Sequence, residues 1–170
     1  MSIIQPMIEE LRHEAGSTRA TLERVPDGSF DWKPHEKSMS FGQLASHIAD
    51  NSSWVESILD RDELEMDPSS FVPWQGKTTA EVLETFDRNI ARALEQMAGQ
   101  PDQKMMRNWS MKVAGETVLS MRRDAVLRMM ILSHMIHHRA QLGVYLRLSD
   151  LPVPQCYGPT ADETDMAPPA

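Results

Sequence analysis

A chain of 170 residues, 41% hydrophobic and 25% charged, is long enough for one substantial core and holds no apolar run near the roughly 20 residues a bilayer span needs. Its net charge of −8, with basic residues scattered among acids, argues against a phosphate backbone, and so against nucleic acid, as a partner. The single cysteine, Cys156, excludes an intrachain disulfide and a cysteine-built zinc site, which leaves histidine and carboxylate as candidate metal ligands. Nothing in Met1-Ser2-Ile3-Ile4-Gln5-Pro6 has the basic and apolar blocks of an export signal, so a cytoplasmic location is the expectation.

In chain order, four helical segments are expected. Ser2-x-x-Gln5 has the form of a capping box ahead of Ile4, Met7, Ile8 and Leu11, and the first helix should run to about Arg24, before Pro26-Asp27-Gly28. Trp32-Lys33-Pro34 is loop. Ser40-x-x-Gln43 is a second capping box, after which Leu44, His47, Ile48, Asn51, Val55 and Ile58 form one stripe at helical spacing. The stretch from about Arg61 to Lys77, with Pro68, Pro73 and Gly76, lacks periodicity and is long enough to cross from one end of a bundle to the other. Thr78-x-x-Glu81 opens the third helix, whose apolar face is Val82, Phe86, Ile90, Ala93, Leu94 and Met97, before Gly99 and Pro101. Residues 102–119 read as irregular, with strand-like pieces around Trp109 to Val113. Ser120 begins the last and longest helix, which continues to about Leu148 and stops at Pro152 and Pro154. Residues 1–163 are expected to form one domain, with 164–170 a disordered tail. Four helices, one long connection and no convincing strand predict an all-α four-helix bundle.

Chemistry is concentrated in His134-Met135-Ile136-His137-His138. Residues four apart on a helix lie one turn up and about 40° round, so His134 and His138 aim two imidazoles from one face. They fall within the apolar stripe Leu127, Met130, Ile131, Leu142 and Tyr145. Two inward imidazoles side by side are costly unless partnered, and a metal ion satisfies both. His47, on the inward stripe of its own helix, becomes the third ligand. His137 lies at the edge of the stripe and is assigned to the surface or to a supporting role, whereas His13 and His35 have no such partners. Asp50 and Asn51, one turn beyond His47, and Gln141 and Tyr145, beyond His138, are placed to orient an imidazole or contact a substrate. The thirteen methionines are taken as core filling.

Three blocks together, Trp32-Lys33-Pro34 through Ser40-Phe41-Gly42-Gln43-Leu44-Ala45-Ser46-His47, then His134 to Leu142, then Leu151-Pro152-Val153-Pro154-Gln155-Cys156-Tyr157-Gly158-Pro159, resemble the DinB/YfiT-type metalloenzymes. The resemblance runs from the first helix to about Glu163. It implies an up-down-down-up four-helix bundle, usually dimeric, that holds a divalent ion through three histidines, here His47, His134 and His138. Ala140 stands where the common HHRGQ form has Gly, a change a helix accepts. Related thiol-dependent isomerases tend to carry Glu at the first position of the H-x₃-H pair, so His134 sets this chain apart from that branch. The expected function is metal-assisted attack of a low-molecular-weight thiol on a small electrophile, as in an S-transferase. Metal-dependent hydrolysis is one alternative, and a non-catalytic, metal-stabilised stress-response dimer is another. Zinc and nickel are the working choices for the ion, since imidazole suits several divalent metals. Ala125, Met129, Leu132, Ile136 and Ala140 make the last helix apolar on its other side as well, so either the bundle wraps that face or a second subunit covers it, and a homodimer is the favoured expectation.

Overall fold

The computed structural model describes residues 2–164, so of the predicted tail only Thr164 is included, and 165–170 lie outside the described residues. Helix α1 (Ile4–Leu22) buries Ile4, Met7, Ile8, Leu11, Thr18 and Leu22 along one face. Only half of its expected capping box forms, with the Gln5 amide donating to Ser2 Oγ at 3.3 Å. Helix α2 (Phe41–Asp50) has the full reciprocal cap: Ser40 Oγ accepts from the Gln43 amide, and Gln43 Oε1 accepts from the Ser40 amide. Gly42 lets the helix start press against a ring, because a Cβ there would stand 2.5 Å from Phe30 Cδ1.

The predicted second helix is not continuous. A 3₁₀ turn, Asn51–Ser53, separates α2 from α3 (Trp54–Asp60). Three short polar side chains in a row favour such a tightening, since Asn and Ser bond readily outside the regular helical ladder. Helix α4 (Thr79–Met97) begins at Thr78, whose Oγ1 accepts from the Glu81 amide, and buries Val82, Phe86, Ile90, Ala93 and Met97.

The all-α expectation is corrected by a three-stranded sheet in the order β1-β2-β3. Strand β1 (Glu63–Met66) lies in the predicted crossover and pairs in parallel with β2 (Asn108–Val113), which pairs antiparallel with β3 (Glu116–Arg122). The hairpin turns on Ala114 (φ 51°) and Gly115 (φ 79°), the left-handed pair a tight two-residue connection requires. Trp109 is fully buried and donates Nε1–H to Ser57 O, fixing the sheet to α3. Residues 120–122 are therefore strand, and the last helix starts later than predicted. After the short α5 (Asp102–Met105), that helix comprises α6 (Arg123–Val126), a π-helical segment Leu127–Ser133, and α7 (His134–Leu148).

The chain is thus mostly helical with a small sheet. Helices α1 and α2 each pack against both α4 and α7, around a core that includes Leu11, Phe41, Leu44, Ile48, Phe86, Leu127, Leu142 and Leu146. Two buried arginines lock the last helix. Arg123 donates to Ile58 O and Arg61 O at the end of α3 and pairs with Asp62 Oδ1 at 2.5 Å. Arg139 is 3% exposed and meets Glu14 Oε2 at 2.6 Å, with Tyr157 OH donating to the same carboxylate. Arg139 faces α1, so its neighbour His138, about 100° round the helix, is turned toward α2. Among the described residues no helix is long and apolar enough to cross a membrane.

Candidate metal centre

Three rings from two helices meet at one point. His47 of α2 places Nε2 3.2 Å from His134 Nε2, and His138 Nε2 lies 2.7 Å from the same atom. The ring centroids are 4.5 to 4.9 Å apart, and one nitrogen from each residue lies within 4.8 Å of the other two. All three residues sit at intermediate depth. His137 is exposed and touches only the edge of the group, its ring 4.9 Å from that of His138. His13 is exposed on α1, and His35 accepts a backbone amide within its loop, both away from the cluster.

The second nitrogen of His138 is already committed, and that of His134 has a polar neighbour. His138 Nδ1 stands 2.7 Å from Gln141 Oε1, an acceptor, so Nδ1 carries the hydrogen. His134 Nδ1 stands 3.4 Å from Asn51 Nδ2, and the Met130 carbonyl nearby opposes the lowering of its pKa. Asn51 Nδ2 donates to that same carbonyl at 2.7 Å, and no hydrogen-bonding partner meets its buried Oδ1. Met130 belongs to the π-helical segment, whose wider turns alter which carbonyls the helix itself consumes. For His138 this tautomer leaves a lone pair on Nε2. That lone pair faces His134 Nε2 at 2.7 Å, an arrangement that either a hydrogen on His134 Nε2 or a shared cation satisfies.

Electrostatics keep these rings neutral. Burial holds all three histidines below the ordinary imidazole range, opposed at His138 by its bond to Gln141, at His134 by Met130 and at His47 by the carboxylate of Asp50. For His138 the value is lowered to about 4. A metal needs the neutral form. Tetrahedral ligation at about 2.0–2.1 Å would set nitrogens roughly 3.3 Å apart, close to the His47–His134 separation of 3.2 Å, with the His134–His138 pair at 2.7 Å opening by about 0.6 Å. The residues fit a divalent ion.

A cavity of about 740 Å³ borders the centre, with His47, His134 and Asn51 in its wall. The crossover supplies its outer side through Phe71 and Trp74, and Trp54 of α3 approaches Phe71 with ring centroids 6.1 Å apart.

A sequence model of the DinB family matches residues 1–168. The chain belongs to the DinB family. Two solved structures share the DinB fold: a DinB-like protein from Bacillus cereus, 19% identical, with TM-score 0.64 over 86% of this chain and 92% of that one; and the DinB-like protein YjoA from Bacillus subtilis, 15% identical, with TM-score 0.67 over 95% and 100%. A search of curated proteins returns no match.

Within this DinB chain, the structure brings together the three histidines selected from sequence. Of the four accessory candidates, Gln141 holds His138, Asn51 donates to the Met130 carbonyl beside His134, and Asp50 lies in the cavity wall. Tyr145 is placed elsewhere, in an aromatic group with Trp32 and Phe41, where it donates to Met39 O. Sequence reasoning missed Met130 as an acceptor and the aromatic wall. The one signal for the wall was a tryptophan and a phenylalanine in a crossover that otherwise has little reason to hold them.

Proposed function

We propose that His47, His134 and His138 hold a divalent metal, zinc or nickel on donor chemistry, and that this DinB protein transfers a low-molecular-weight thiol to a small electrophile. The convergence of one nitrogen from each of the three histidines within 4.8 Å of the others carries the reading, with His138 Nε2 left as an acceptor by the bond of Nδ1 to Gln141. Three neutral ligands leave the ion's +2 charge undiminished and a coordination position open, which would lower the pKa of a thiol at neutral pH.

The chain's own contribution is positioning. Gln141 fixes the tautomer of His138, Asn51 stands at the second nitrogen of His134, and the cavity wall excludes water around the electrophile. In the transfer itself the thiol proton leaves to solvent, a carbon–sulfur bond forms, and the bond from that carbon to its leaving group breaks with the electron pair going to that group. A cytoplasmic setting, where thiols stay reduced, suits this chemistry. On the same reading residues 1–163 act as one unit, with its long helices in the up-down-down-up arrangement. A homodimer would use the outer face of the last helix, where Met129, Val144 and Leu148 are exposed. Hydrolysis at the same ion, or metal binding without turnover, are the competing outcomes.

The test is elemental analysis followed by assay of defined zinc and nickel forms against a panel of thiols and electrophiles, with His138→Ala as control. Turnover that requires the metal and is lost in the variant supports transfer. Absence of thiol-dependent turnover across the panel refutes it, and water-dependent turnover alone assigns hydrolysis.

A further inference from the structure

The cavity beside the centre has a one-sided charge. Its only charged side chain among the described residues, apart from the histidines, is Asp50, and neither lysine nor arginine lines it. Its polar groups are otherwise neutral amides, Gln43, Asn51 and Gln75, and its broad surfaces come from Trp54, Phe71 and Trp74. At about 740 Å³ it is the size of a site that encloses most of a small-molecule ligand.

We infer that this cavity takes an uncharged ligand with an apolar or aromatic body, and rejects small molecules carrying carboxylates. The inference rests on the proposed function for where the reactive atom goes and adds what the rest of the molecule must be. One anionic atom could be compensated at the three-histidine centre. A carboxylate elsewhere on the ligand would leave water and meet no counter-charge, only aromatic surface and the like charge of Asp50. Burying an unpaired carboxylate costs far more than burying the same skeleton without it. The tryptophan faces favour a ring or alkyl chain, and the glutamine amides can hydrogen-bond to hydroxyl or amide groups without any charge. Among thiols, this selects for neutral bodies and against acidic ones.

The test uses matched probes. On zinc-loaded protein, benzyl mercaptan is compared with 4-(mercaptomethyl)benzoate by calorimetry and by quenching of tryptophan fluorescence. On metal-free protein, benzyl alcohol is compared with 4-(hydroxymethyl)benzoate, so that the cavity is read without the centre. The uncharged member should bind at least tenfold tighter in each pair. Gln75→Lys, a substitution at an exposed position, supplies the missing counter-charge and should shrink both gaps at least threefold. Equal affinities, preference for the carboxylates, no binding of either uncharged probe, or gaps unmoved by the lysine would overturn the inference. Failure to bind zinc while the metal-free pair still discriminates would instead sink the proposed function and leave the cavity's selectivity standing.

Discussion

Replacing Gln141 isolates the support of one ligand from the fold. Gln141 is exposed, and its contact of interest is Oε1 on His138 Nδ1 at 2.7 Å, so Gln141→Met should leave the metal-free protein within about 0.5 kcal/mol of wild type. Metal withdraws charge from the ring and makes the Nδ1–H a stronger donor, so the lost bond is worth more in the loaded protein. A hydrogen bond of about 1–2 kcal/mol corresponds to roughly 5–30-fold in affinity, overlapping the lower part of the 10–100-fold range usual for groups that orient metal-bound histidines. Gln141→Glu should act oppositely, since a carboxylate accepts more strongly and raises the basicity of Nε2. Zinc affinity measured by chelator competition, with thermal unfolding of the metal-free forms alongside, decides the matter. Equal zinc affinity in wild type, the methionine variant and the glutamate variant would refute the assignment of Nδ1 as donor, and with it the argument that Nε2 points a lone pair at its neighbours.

Stability of the metal-free protein should fall as pH drops from about 6.5 to about 4. In that window the unfolded chain protonates a histidine that the folded chain keeps neutral at His138, so protons favour unfolding. The full linkage, roughly halved because the ring is partly exposed to screening solvent, gives about 1–2 kcal/mol, and calorimetry on wild type and His138→Gln should show the slope reduced in the variant. Glu14→Ala strands the Arg139 guanidinium in the interior and should cost about 3–5 kcal/mol by urea unfolding, whereas truncating an exposed partner such as Asp87 should cost under about 1 kcal/mol. Gly42→Ala drives a methyl into the Phe30 ring and should cost about 1–3 kcal/mol, with zinc binding retained if the loop rather than α2 gives way.

The histidine centre was legible because helical spacing is a local property: His134 and His138 share a face whatever surrounds them, and His47 sits on the only stripe its helix offers the core. The Ser40 cap was legible for the same reason, since donor and acceptor are three residues apart. The sheet was not. Its turn is Ala114-Gly115 rather than an Asn-Gly pair, and β1 owes its existence to a partner more than forty residues away. Ser120 was read as a helix start because a serine before an apolar run has the same look in either structure. The 3₁₀ turn at Asn51 and the π-helical segment before His134 alter the helical period for only a few residues, too briefly to disturb an apolar stripe. The Glu14–Arg139 pair joins residues 125 positions apart, and nothing local distinguishes a buried arginine from its solvated neighbours. Recognition of the DinB motifs supplied the third ligand independently but implied a plain bundle, without the strands.

The cavity's inner side is made by helices held through buried arginines and a packed core, while Phe71, Pro73 and Trp74 come from an irregular link that carries no ligand. Substitution or lengthening of that link would reshape the cavity without touching the three histidines, so the loop is free to diversify while the helices stay under constraint.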